Sequence, residues 1–308
     1  MPATMNRNDL ESVVNRFVDG WNGASDALPL FVQNVRLHSS HVGNAVGETQ
    51  LFAQLRQGSS DVMKLRVDHS NVVIRANSGQ AVATAYVHGG LYESNSKDAT
   101  ASFGGVLVLG IDTVADAGRV SEVRVQLRWA QGRVAQFSGW SLPVMDRQWK
   151  PGDTVSALMS ELDAAWHRIP ASDLILEDSE AIAETWYRYA WALDQADFGL
   201  FDEAFCEDVT AELTPMGQLN GKRNLLSTLK DFRMPWPWMM HHGAPINIEI
   251  SADGQKATML LGRIIPGQSH APDGRRIFGA HYVIKLRREA GAWRMSQMDY
   301  VPGWIRPS

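Results

Sequence analysis

Hydrophobic residues at Ile182, Trp186, Tyr189, Ala190 and Leu193 recur at three- and four-residue steps, the spacing of one face of an α-helix. Asp178 and Ser179 stand ahead of them to cap the first turn, so the stretch predicts an amphipathic helix of about four turns. Asn8 to Trp21 carries the same kind of pattern, and shorter helices are expected around Phe198 to Phe205 and Lys222 to Asp231. Beyond them the period changes. Ile246 to Ile250, Lys256 to Ile265, Phe278 to Arg288 and Ala292 to Tyr300 are strand-like runs, divided by turn residues such as Asp253-Gly254 and Ala290-Gly291. Counterparts in the first half lie at Val72 to Ala76, Ala81 to His88, Gly104 to Ile111 and Val120 to Trp129. Helices first and an antiparallel sheet afterwards, twice over, predict an α+β class with helices packed on one face of a curved sheet.

The halves match in detail. His41 to Phe52 can be laid over Pro215 to Leu226, pairing Gly43 with Gly217 and Gly47 with Gly221 at a shift of 174. Asn34-Val35 falls on Asp208-Val209 at that shift, Gly79-Gln80 on Gly254-Gln255 at 175, and Ala117-Gly118 on Ala290-Gly291 at 173. A nearly constant offset over some hundred residues points to tandem duplication. The expected division is a first domain over 1–138, a connector over 139–171 and a second domain over 172–308. Pro143, Pro151, Gly152 and Pro170 punctuate the connector around one helix expected from Thr154 to His167.

Composition narrows the function classes. The chain has 308 residues, enough for two cores, and its formal charge of −5 gives no electrostatic footprint for nucleic acid or an anionic membrane. No apolar run approaches the roughly 18 residues of a spanning helix. The start, MPATMNRNDL, has no apolar stretch of a secretory kind, and Cys206 is the single cysteine. A cytoplasmic protein is expected. Cys206, taken to lie on a helix beside Phe205, reads as a small buried hydrophobe.

The second half offers chemistry. Asp194 lies four residues after Ala190 and eight after Trp186, so it projects from the buried stripe of its helix. An inward carboxylate needs a cationic or hydrogen-bonding partner. The pair His241-His242, in the run PWPWMMHHG just before the first strand of that half, offers one. A histidine oriented and made more basic by a buried carboxylate serves as a general base near neutral pH. Trp236, Trp238, Met239 and Met240 would wall the pocket with apolar surface, which suits a small hydrophobic, aromatic substrate. Plainer readings stand beside these. Asp194 also reads as a cap for the next helix, His241 as a hydrogen-bonded core histidine, and the tryptophans as ordinary core or a dimer surface. His242 would alternate to the opposite face, His270 reads as a surface residue, and parity does not fix the direction of His281.

YAWALDQADFGLFDEAFCEDV (Tyr189 to Val209), Gly217 with Gly221, His241 and GAWRMSQMDY resemble the SnoaL-like branch of the nuclear transport factor 2-like superfamily. Scytalone dehydratases and hexachlorocyclohexane dehydrochlorinases are members of that branch that the second half resembles. The likeness covers about 130 residues of the second half well and the first half more weakly. It implies two tandem cone-like barrels, each a bent sheet wrapped by helices. It also implies an Asp-His dyad inside the second cone, on Asp194 and His241, which removes a proton during elimination without metal or organic cofactor. Tyr187, Tyr189, Trp191, Trp236, Trp238, Met240, Arg263, His281 and Tyr300 are the expected substrate-binding residues, and Tyr282 joins the tyrosines that could orient a substrate oxygen. Arg263 either stabilises an oxyanion or pairs with a surface acid.

The sequence departs from those relatives in two places. Gly267 follows Pro266 where scytalone dehydratases carry a second histidine, so that role is vacant unless His270 bends back. Tyr189 stands where the dehydrochlorinases carry a lysine. In the first half the place of Asp194 falls near Gly20, Trp21 or Asn22, with no aligned carboxylate, and His69, preceded by Asp68, approximates His241. That half is expected to be a degenerate copy that packs against the active one as a pseudo-dimer, with a further homodimer open, or else to keep a binding cavity. The expected function is therefore a cofactor-independent lyase of the dehydratase or retro-aldol type in aromatic compound catabolism. The alternatives are an isomerase of the ketosteroid isomerase type, or a non-catalytic ligand-binding or assembly protein.

Overall fold

The computed structural model describes residues 5–24, 30–94, 96, 98–114, 118–143, 160–236, 238–271 and 273–307. Two units divide the chain between Ile175 and Leu176.

In the first unit α1 (Arg7–Trp21) begins at a capping box, where Asn6 accepts from the Asp9 N–H and the Asp9 carboxylate accepts from the Asn6 N–H, both at 3.0 Å. Then come β1 (Phe31–Ser39), β2 (Gly43–Val46), α2 (Glu48–Leu55), β3 (Met63–Asn77), β4 (Gln80–Glu93), β5 (Ala99–Asp112) and β6 (Arg119–Gly132). They form one sheet in the order β2-β1-β6-β5-β4-β3. A 3₁₀ turn (Glu161–Asp163) and α3 (Ala165–Arg168) dock on this unit. There the Ala165 N–H donates to Thr84 Oγ1 at 3.0 Å and Arg75 Nε to the Ile169 carbonyl at 2.7 Å. These short pieces stand where a longer connector helix was expected, and its first part, 154–159, lies outside the described residues.

The second unit repeats the plan with α4 (Asp178–Asp194), α5 (Phe198–Ala204), β7 (Phe205–Leu213), β8 (Gly217–Asn220), α6 (Lys222–Arg233), β9 (Gly243–Ile250), β10 (Lys256–Arg263), β11 (Phe278–Glu289) and β12 (Ala292–Ile305). Its sheet runs β8-β7-β12-β11-β10-β9, the same order strand for strand. The glycines that matched in sequence have matched backbones: Gly43 and Gly217 at φ 80° and 75°, Gly47 and Gly221 at 86° and 81°. These left-handed values favour glycine. The Gly47 N–H donates to Val35 and the Gly221 N–H to Val209, each at 2.8 Å, so one hydrogen bond recurs at a shift of 174. The architecture is α+β, two such folds in tandem.

Three expectations need correction. The sheets are mixed, because β1 pairs parallel with β6 and β7 parallel with β12. Each of these strands lies between helices of its unit and joins the last strand of that unit by a crossover rather than a hairpin. Cys206 lies on β7 rather than on a helix, buried there as a small apolar residue. The cap of α4 sits one residue earlier than expected, at Glu177, whose N–H donates to the Glu180 carboxylate at 2.9 Å. Among the described residues no helix is long and apolar enough to cross a membrane.

Candidate active site

The last turn of α4 delivers Asp194 into the second unit, where it is 1% exposed. The helix stops immediately after it, since Gln195 leaves the helical region and Ala196 adopts φ 60°. Both oxygens of the carboxylate are used by one residue: Oδ2 accepts from the His241 backbone N–H and Oδ1 from His241 Nδ1, each at 2.6 Å. The carboxylate therefore fixes both the strand entry and the ring. Nδ1 carries a proton, and Nε2 is left as the basic edge of the imidazole. Two residues on, Gly243 completes the fit, because a Cβ there would stand 2.6 Å from the Trp186 ring that packs beneath. Arg233, in the last turn of α6, donates to the carbonyls of Leu193 (3.2 Å) and Asp194 (3.3 Å) and so caps the carboxyl end of α4.

His241 lies on the wall of a cavity of about 260 Å³. Leu193 and Tyr189 come to it from α4, Leu229 and Phe232 from α6, Leu213, Thr214 and Met216 from the β7–β8 hairpin. The sheet contributes Arg263, Ile265, Ala280, Tyr282 and Tyr300. Strand pairing places Tyr282 directly opposite Tyr300, with their rings 5.2 Å apart. The Tyr282 hydroxyl interacts with both the Tyr189 hydroxyl and the Arg263 guanidinium, giving the mainly apolar cavity a polar corner.

Burial dominates the ionisation of these groups. It holds His241 below the ordinary histidine value, Asp194 pulls the other way, and Arg263 adds to the depression. The imidazole is thus neutral near pH 7, rather than more basic than usual as the sequence suggested, because desolvation outweighs the carboxylate. Burial also pushes Tyr189 well above the usual phenol range and raises Tyr282, so both remain protonated donors.

Of the expected substrate-binding residues, Tyr189, Arg263 and Tyr300 reach the cavity together with His241, behind which Asp194 stands outside the lining; six do not. Tyr187 and Trp191 sit on other faces of α4, two residues either side of Tyr189, about 200° around the helix. Trp236 is 48% exposed after α6 and packs edge-on against Trp238, ring centroids 5.7 Å apart. Met240 is buried outside the lining and offers its carbonyl to Arg263 Nη2 at 3.2 Å, while its neighbour Met239 lines the cavity. His281 alternates with Ala280 and Tyr282 on β11 and points to the other face. His270 stays in its loop, with Nδ1 3.0 Å from Ser269 Oγ. The α6 and hairpin contributions were missed, and only the helical period of α6 could have signalled Leu229 and Phe232.

Elsewhere, Cys206, Asp208 and Glu289 bring three ligand atoms within 4.8 Å of one another. Arg287 already pairs with both carboxylates, and burial pushes the Cys206 thiol up to about 12, so the trio is an ion-pair cluster around a protonated thiol.

In the first unit the same helix end carries Asn22. Its Oδ1 accepts from the Val67 N–H at 2.7 Å and its Nδ2 donates to the Val67 carbonyl at 2.8 Å. Val67, not His69, therefore occupies the place of His241. His69 is two residues along, 3.9 Å from Asp68, and burial lowers its pKa. Around this clamp the interior is packed with aromatic rings: Trp140 lies 4.5 Å from Phe137, 5.1 Å from Phe103 and 4.3 Å from His41.

Residues 175–299 match the family described as the SnoaL-like domain. The second unit is a SnoaL-like domain. No curated protein matches the chain. Solved structures with similarity to this SnoaL-like fold include a putative aromatic ring hydroxylase from Novosphingobium aromaticivorans, 11% identical, covering 43% of this chain and 96% of that one at a TM-score of 0.35. A putative scytalone dehydratase from the same organism is 13% identical over 40% of this chain and 85% of its own, TM-score 0.33. LinA is 17% identical over 42% and 87%, TM-score 0.30.

Proposed function

We propose that the SnoaL-like domain is a cofactor-independent lyase that removes a proton from a small, mostly apolar ring compound and expels a leaving group, as in dehydration or a related elimination. The observation that carries this reading is the two-point hold of Asp194 on His241 in the wall of an apolar cavity. A neutral imidazole whose Nδ1 is held by a carboxylate accepts a proton at Nε2, and the carboxylate stabilises the imidazolium that results. Protonated Tyr189 and Tyr282 supply donors for an oxygen of the substrate. A cavity of about 260 Å³ suits one substituted ring, since an apolar cavity of about 150 Å³ already binds benzene.

The test needs no knowledge of the natural substrate. Proton abstraction from 5-nitrobenzisoxazole, together with a panel of β-hydroxy ketones, is followed in the unaltered chain and in His241→Asn. The proposal expects acceleration in the unaltered chain that the variant loses. Equal rates in the two proteins would reject it and leave a ligand-binding role for the cavity.

A further inference from the structure

We infer that the compound held in this cavity is a carboxylate, a small planar acid whose anionic end pairs with Arg263. The inference rests on the reading that the cavity beside His241 is the substrate site, and it adds the charge of the substrate. Arg263 shares a face of β10 with Met259 and Leu261, whose side chains are buried, so strand parity aims a guanidinium cation into the core. Among the residues on the described cavity wall it is the one Lys, Arg, Asp or Glu side chain.

Its partners leave that charge unanswered. Nη2 donates to the Met240 carbonyl and the guanidinium meets the Tyr282 hydroxyl, both neutral acceptors. Nε is buried and has no acceptor among the described residues. Asp194, the buried carboxylate of the site, has its oxygens committed to His241, and Arg233, the other nearby cation, is turned to the carbonyls of Leu193 and Asp194. A guanidinium held only by neutral groups in a partly desolvated site is better stabilised by an anion brought in against its accessible amino edge. A carboxylate fits best, because its two coplanar oxygens match the parallel N–H groups of a guanidinium. The hydrocarbon body then lies against Leu213, Met216, Leu229 and Phe232.

Calorimetric titration of the full chain with benzoate against benzamide, and with cinnamate against cinnamamide, separates charge from shape. The acids should bind at least about tenfold tighter than their amides. Arg263→Gln should abolish that preference while changing amide affinity little, and Arg263→Lys, which keeps the charge but not the fork, should retain part of it. Amides binding as tightly as the acids, no saturable binding of either, or an acid preference undiminished in a folded Arg263→Gln would overturn the inference. If that variant does not fold, the acid-to-amide ratio in the unaltered chain decides. Repeating the titration in His241→Asn keeps this test apart from the catalytic one: the acid preference should persist there whatever becomes of turnover.

Discussion

A single residue choice decides what each helix end can hold. Asn22 faces a backbone N–H and a backbone C=O, so it needs one acceptor and one donor, which an amide supplies. Asp194 faces two donors, the His241 N–H and Nδ1–H, so it needs two acceptors, which a carboxylate supplies. Asp194→Asn should therefore fold, as the first unit shows an asparagine can at this place, but its NH₂ group must meet one of those donors. Relief comes when the ring changes tautomer, which puts the proton on Nε2 and removes the base. We expect kcat/KM to fall about a thousandfold in Asp194→Asn and in His241→Asn, with melting temperatures changed by only a few degrees; a variant with near-normal kcat/KM would contradict the tautomer assignment. The pH profile follows from the same site. Because burial and Arg263 depress His241, the acid limb of kcat/KM should fall below the ordinary histidine value, with activity sustained above it. In Arg263→Gln, with the neighbouring cation gone, that limb should move upward in pH, and a limb that stayed in place would separate the two residues.

Element by element, what the sequence reveals depends on how regular the burial is. The helix carrying Asp194 has a regular period, and the last four strands of each unit are hydrophobic runs bounded by turn residues even where bulges shift their registers, so their places were legible, as were the pairing of Asp194 with His241 and the wall positions of Tyr189, Arg263 and Tyr300. β1 and β7 were not legible. Each pairs with the last strand of its unit through a register shift, between Phe31 and Arg36 in one and opposite Met295 and Gln297 in the other, and the irregularity interrupts alternation. β2 and β8 are four residues each, too short to show a period. The tryptophans around Trp236 misled because hydrophobicity gives no direction where the chain is leaving a helix. At this scale the Asn22 clamp makes its own prediction. It ties the end of α1 to β3 near the surface, so Asn22→Ala should lower the stability of the first unit by about 1 kcal/mol. Asn22→Asp should not restore it, because a carboxylate would face the Val67 carbonyl. Chemical denaturation of the three proteins checks the order, and an aspartate variant as stable as the parent would refute the donor and acceptor matching.

Across the whole molecule, one plan has been put to two uses. The hairpin that lines a cavity in the second unit brings His41 in the first unit against Trp140, with its ring stacked on Trp21 at 6.4 Å. Its Nδ1 is 2.8 Å from Ser39 Oγ, and Nε2 is buried with no partner among the described residues. Burial lowers this histidine to about 3. A base depressed in the folded state contributes its full stability above the unfolded value, near 6.5, and loses it as the pH falls, because the unfolded chain takes up a proton that the folded unit refuses. Each pH unit below that value costs up to about 1.4 kcal/mol, so about 2 kcal/mol is lost by about pH 5. His41→Gln keeps a polar side chain beside Ser39 but does not titrate. In scanning calorimetry between about pH 7 and about pH 5, the unaltered chain should lose about 4–8 °C more than the variant in the transition that the substitution shifts. Other buried histidines act equally on both proteins and cancel in the comparison. Parallel losses would mean that His41 is hydrated in solution and that the aromatic interior of the first unit is open enough to admit water.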